Sequence, residues 1–188
     1  MIEWLFPDDI IVWYIFLIIF GVSFVLGTIL HEFGHKIFCE LTGVKIIGVS
    51  YFNFDEDIEA DGFVVHENPE TFTQALLITI GPLFTVGFVL FLIILLLINN
   101  LEWLSSDFFI MSLLMGFGLS MFPSTHDVNN LIEFVKKKYK FSSKQSFLQN
   151  GKTILIWLFM PIIYILKLCS YFYVKFILFI ILFIVFFA

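Results

Sequence analysis

Four stretches of this chain carry almost no charge, and their lengths constrain the fold more than any other feature. Ile10 to Leu30, Thr71 to Ile98 and Phe108 to Thr125 have no charged side chain, and Thr153 to Ala188 is interrupted only by Lys167 and Lys175. A helix needs about 20 apolar residues to cross a hydrocarbon layer of ~30 Å. The chain is therefore expected to be an all-α polytopic membrane protein with four or five transmembrane helices, and residues 1–188 are read as a single integral membrane domain. A transmembrane barrel would instead show segments of about ten alternating residues, and none occurs. The uncertain count lies in the last stretch. As one helix it would be about 54 Å long, too much for one span, so it is either one span with an interfacial segment or a tight hairpin of two. A soluble domain is excluded by the 14% charged content and mean hydropathy of +1.01, against roughly 25% charged residues in soluble proteins.

Between the first two apolar stretches the chain changes character. Val44 to Phe54 is rich in β-branched and aromatic residues, and Phe63-Val64-Val65 follows the acidic stretch Asp55 to Asp61 and Gly62. This predicts a small β-hairpin at the membrane surface. Thr42-Gly43 reads as a helix stop, and Gly81-Pro82 is expected to kink the second span. Gly21, Ser23 and Gly27 are small enough to let other helices approach the first span. Trp4, Trp13, Trp103 and Trp157 fall near predicted span ends, as aromatic belts do. Pro7-Asp8-Asp9 lacks the basic residues of a cleaved signal peptide, so the first stretch is read as a retained span.

Orientation follows from lysine. The chain has no Arg, and eight of its ten Lys fall between Lys136 and Lys175. The positive-inside rule puts the N-terminus and the Asn99–Asp107 loop outside, and residues 36–70 and the lysine-rich loop 136–152 in the cytosol. The expected location is the cell membrane, with residues 31–35 at the cytosolic end of the first span. The lipid bilayer is the expected partner, no basic aromatic surface suggests nucleic acid, and the oligomeric state is not legible. Cys39 and Cys169 form no metal-binding or disulfide pattern and read as packing residues.

Chemistry enters with His31-Glu32-Phe33-Gly34-His35. Residues four apart on a helix lie about 40° apart around its axis, so the two imidazoles share a face and can hold one zinc ion. Glu32 between them can act as general base on a zinc-bound water. In a chain with four His, this pattern is expected by chance about 0.004 times. A hydrolytic zinc site has three protein ligands and an open position. Asp127 is the expected third ligand, because it directly follows an apolar span at the same membrane depth and an unpaired carboxylate there is costly. His126 competes for that role. A helix cap after Pro123-Ser124-Thr125 is the other reading of Asp127.

These residues resemble the site-2 protease type of intramembrane zinc metalloproteases. The resemblance rests on His31 to His35, Gly43-Val44 and the strand-like stretch after it, Gly62-Phe63-Val64, Gly81-Pro82 and Asp127, and covers residues 10–135. It implies a three-helix catalytic core, one Zn2+ per chain held by His31, His35 and Asp127, Glu32 as the catalytic residue, and a transmembrane protein as substrate. Thr85 stands where the family usually has Asn, and Thr125-His126-Asp127-Val128 where it has Leu-Asp-Gly, so the chain reads as a divergent member. A helical substrate must be unwound before its carbonyls can be attacked. The hairpin is expected to hold such an extended segment by β-addition.

Weaker signals give way to ordinary readings. Asp57 to Gly62 starts like a calcium loop, but Asn68 stands at its twelfth position, so a solvated acidic turn is expected. Glu133 is another downstream carboxylate, placed in a polar loop. The alternative to a protease is a non-catalytic membrane protein that binds metal and a client helix. Glu32 speaks for the enzyme, since a structural zinc site has no use for a base.

Overall fold

The computed structural model describes residues 10–52, 62–99, 107–140, 147–171, 174, 175 and 177. Trp4, Pro7-Asp8-Asp9, Phe54, the acidic stretch Asp55 to Asp61, Trp103 and the apolar run beyond Ile177 lie outside the described residues. Helix α1 (Ile10–Thr42) continues straight through the His-Glu motif. Strands β1 (Ile46–Ser50) and β2 (Phe63–His66) pair antiparallel, with a register shift between Ile46 and Gly48. Helices α2 (Phe72–Asn99), α3 (Asp107–Met121), α4 (Thr125–Lys138), α5 (Phe147–Leu158) and α6 (Met160–Ser170) follow. The mainly helical class and the small hairpin agree with the sequence reading.

Among the described residues, three helical stretches are long and apolar enough to cross a membrane: Ile10–Thr42, Phe72–Leu96 and Asn150–Ser170. The last spans α5 and α6, which meet at Phe159. Its N–H bonds to the Ile156 carbonyl three residues back rather than four, and Pro161 adds no donor of its own. The third expected span is shorter than the sequence suggested. With 15 residues, α3 is about 22 Å long, and the chain leaves the helix before Pro123.

The sequence reading also missed α4, placing a polar loop there. Val128, Leu131, Ile132 and Val135 recur at helical spacing and are buried against Ile156, Met160, Ile163 and Ala75. Lys136, Lys137 and Lys138 form its last turn, where positive charge suits the helix dipole.

Small residues set how closely α1, α2 and α3 approach. A stripe of α1 recurring every four residues, Ser23, Gly27, His31, His35 and Cys39, is buried, while Ile11, Ile15, Ile18, Val22 and Leu26 on the other side are exposed. Ser23 and Gly27 face Gly116 and Ser120 of α3. A Cβ on Gly116 would lie 2.5 Å from that of Ser23, and one on Gly27 would lie 2.7 Å from Ser120 Oγ. Two such small pairs four residues apart let helices pack through their backbones. Gly21, expected to share this role, has no neighbour within 4 Å of its would-be Cβ. Farther along α1, a Cβ on Gly34 would meet Pro82 Cα and N at 2.9 Å, so α2 crosses α1 at the motif itself. Helix α1 then stops as expected, at Gly43 with φ of 73°, a conformation that favours glycine. Cys39, Val44 and Ile78 form a small cluster with Ile46 and Val64 that seats the hairpin on α1 and α2.

Candidate metal centre

The orientation of each motif histidine is set by a carbonyl that lacks its usual helical donor. In α2, Pro82 has no N–H, so the Ile78 carbonyl four residues earlier has no intrahelical partner. His35 Nδ1 donates to that carbonyl at 2.8 Å. Near the end of α3, the Ser120 carbonyl would normally pair with the N–H of Ser124. The helix has already ended, and Ser124 N donates instead to Asp127 Oδ2 at 2.8 Å. His31 Nδ1 takes up the Ser120 carbonyl at 2.7 Å. The α2 and α3 ladders are thus each interrupted where an imidazole needs an acceptor.

These bonds decide the tautomer. A carbonyl oxygen only accepts, so each Nδ1 carries a proton, and each neutral ring presents its lone pair at Nε2. The two Nε2 atoms are 3.2 Å apart. Asp127 Oδ2 lies 3.6 Å from His31 Nε2 and 3.3 Å from His35 Nε2. Two lone pairs and a carboxylate oxygen so close repel one another unless a proton or a cation sits among them. A tetrahedral ion with bonds of about 2.0–2.1 Å needs ligand atoms about 3.3–3.4 Å apart, whereas right-angled octahedral neighbours need about 2.9 Å. The observed triangle matches the tetrahedral edge. His31, His35 and Asp127 can therefore hold a metal ion.

Asp127 is both the expected ligand and part of a helix cap, two readings the sequence set against each other. Ser124 is the N-cap of α4, and its Oγ accepts from Asp127 N at 3.1 Å while the Asp127 carboxylate accepts from Ser124 N. This capping box pins the carboxylate at the third helical position, where it turns toward the imidazoles. When protons on the imidazoles rather than a metal balance the site, burial opposes the carboxylate's charge, but His35 and His31 outweigh it and hold the carboxyl well below its ordinary value of 3.8. His126, one position earlier, is exposed and not part of the triangle. The carboxylate thus comes from a helix separate from α3, not from the end of a third span.

Glu32 is buried and lines, with the three ligand candidates, one cleft of about 1440 Å³. Gly62, at the start of β2, presses on it: a Cβ there would lie 2.8 Å from Glu32 Cγ. Consecutive residues Phe63, Val64, Val65 and His66 also line the cleft, while no residue of β1 does. The outer edge of β2 therefore borders the site.

Sequence reasoning missed the supporting groups. The Ile78 and Ser120 carbonyls carry no signal of their own, although a proline four residues after a carbonyl marks it as free. Ser124-x-x-Asp127 was legible as a capping box. Thr85, noted as a departure, donates from Oγ1 to the Leu30 carbonyl at 3.1 Å and ties α2 to α1 one residue before the motif. No family model, curated protein or solved structure matches this chain.

Proposed function

We propose that this protein is an intramembrane zinc metalloprotease of the site-2 protease type, hydrolysing a peptide bond in or near the transmembrane segment of a membrane protein. The observation that carries the reading is the triangle of His31 Nε2, His35 Nε2 and Asp127 Oδ2, with both tautomers set by backbone carbonyls and Glu32 in the same cleft. Nitrogen and oxygen donors at tetrahedral spacing suit Zn2+. Bound there, zinc supplies a Lewis acid and lowers the pKa of a water to about 7.

The chain's own residues do the rest. His31 and His35 keep their lone pairs aimed inward because each Nδ1 proton is occupied. Glu32 accepts the proton of the attacking water and delivers it to the leaving amide nitrogen, so that one carboxylate serves as base and then acid. The outer edge of β2 receives the substrate as an extended strand, exposing the carbonyl that a helix would keep hydrogen-bonded. Apolar helices around the site fit a substrate delivered from the bilayer, with the N-terminus outside and the cleft open to the cytosol.

The test is zinc content and cleavage measured together on protein purified in detergent and reconstituted into liposomes. A panel of single-span peptides serves as substrate, with products read by mass spectrometry. Wild type should hold about one zinc per chain and cut at least one peptide. Glu32→Gln should keep the zinc and lose at least about 100-fold in rate, as loss of an acid–base group does. Zinc binding without cleavage of any peptide, or cleavage unchanged in Glu32→Gln, would sink the enzyme reading.

A further inference from the structure

We propose that the C-terminal segment is a working part of the metal centre, with Lys175 and Trp157 acting as positioning residues that clamp the two ends of α4 and so set Asp127 against the imidazoles. The sequence placed the metalloprotease core at residues 10–135 and gave the C-terminal stretch no role in it. The inference rests on the reading of His31, His35 and Asp127 as a metal site.

Lys175 stands in an apolar stretch, where an ammonium group is costly without a partner. It turns inward. Its Nζ donates to the Phe122 carbonyl at 3.1 Å and lines the same cleft as Asp127. Phe122 follows the last residue of α3, a position whose carbonyls lack helical donors and which favours a cation. Two residues later Ser124 begins the capping box that holds the Asp127 carboxylate. The lysine therefore ties down the short connection from which α4 starts.

At the other end, Trp157 Nε1 donates to the carbonyl of Tyr139, the C-cap residue of α4, at 2.8 Å. The Tyr139 hydroxyl in turn accepts from Phe72 N at 3.1 Å, at the start of α2. Lys138 Nζ donates to the Glu70 carbonyl beside it. Aliphatic packing of Val128, Leu131, Ile132 and Val135 holds one face of α4, and the hydrogen bonds at Phe122 and Tyr139 add a fixed point beyond each end of that packing. Asp127 lies 12 residues from Tyr139, about 18 Å, so a tilt of about 5° around that end moves it about 1.6 Å. Such a shift is close to half an edge of the ligand triangle.

The experiment uses the full chain in detergent micelles, zinc alone as probe, and two readouts. Zinc affinity is measured by competition with a chelator. Amide exchange at residues 122–130 is measured on metal-free protein. Lys175→Met should weaken zinc binding about tenfold, the range for groups that orient a ligand, and Lys175→Arg should restore most of it. In an Asp127→Ala background, Lys175→Met should have no further effect on zinc. Metal-free Lys175→Met should exchange the amides of Asp127 and Val128 at least about tenfold faster, with helical content unchanged. Trp157→Phe should act in the same direction more weakly, and it stands in if Lys175→Met fails to fold. Zinc affinity within twofold of wild type, an equal loss in the Asp127→Ala background, or unchanged exchange would each overturn the clamp. If wild type binds no zinc while exchange still rises in Lys175→Met, the metal reading fails and the clamp stands.

Discussion

The two histidines and the aspartate reach the same point by opposite kinds of packing. His31 and His35 sit on α1 where it crosses α2 and α3 through backbone contacts at Gly34, Gly81 and Gly116, with Gly27 against the short Ser120 side chain. Asp127 rides on α4, which is held by aliphatic side chains, Val128, Leu131, Ile132 and Val135, against α5 and α6. A backbone contact at a glycine has no side chain to rearrange, so it allows neither growth nor relaxation. A side-chain cluster has rotamers and can settle. The imidazole half is therefore expected to respond sharply to added atoms, and the carboxylate half to removed ones.

Leu131→Ala removes a fully buried side chain from the cluster under α4. It should cost about 2–5 kcal/mol of stability in that region, read as faster amide exchange in α4, with zinc affinity falling alongside. Unchanged exchange would mean that the cluster does not hold the helix. Gly34→Ala adds a single methyl group where Thr85 Oγ1 would be 2.5 Å and Pro82 backbone 2.9 Å away. Overpacking of this kind costs about 1–3 kcal/mol, seen as a lower unfolding temperature in detergent. Because the strain falls beside His35, zinc affinity should fall too. A stable, fully loaded Gly34→Ala protein would erase the contrast between the two halves.

Smaller changes sharpen it. Pro82→Ala restores an N–H that competes with His35 for the Ile78 carbonyl. Zinc binding should weaken about tenfold while the protein stays at least as stable, since a helix interior prefers Ala. Thr85→Val removes the hydroxyl that reaches the Leu30 carbonyl. The expected cost is about 1 kcal/mol, measured by thermal unfolding, with zinc affinity nearly unchanged. A larger loss of zinc than of stability would give Thr85 a direct part in the site.

How much of this was readable in advance divides along the same line. His31 and His35 were legible because a helix repeats every 3.6 residues and spacing alone puts them on one face, and Glu32 because a carboxylate stands between them in the motif. The apolar stretches, the hairpin and the stop at Thr42-Gly43 were legible for similar local reasons. Helix α4 was hidden by its polar composition, although Val128, Leu131, Ile132 and Val135 kept helical spacing. On the sequence, cap and ligand are rival readings of Asp127; the Ser124 capping box leaves the same carboxylate within reach of both imidazoles, so the two are compatible.

Local pattern in the chain dictated which residues are candidate metal ligands and which segments are helical or extended, because periodicity, proline and glycine act within a few residues of themselves. The tertiary structure alone decided which partners those residues meet. His31 and Ser120 are separated by 89 positions, and His35 and Ile78 by 43. Lys175 reaches back 53 positions to Phe122. The donor that Pro82 lacks was plain from its ring; that an imidazole would fill the gap depended on α1 and α2 crossing at Gly34, a contact set by the packing of whole helices.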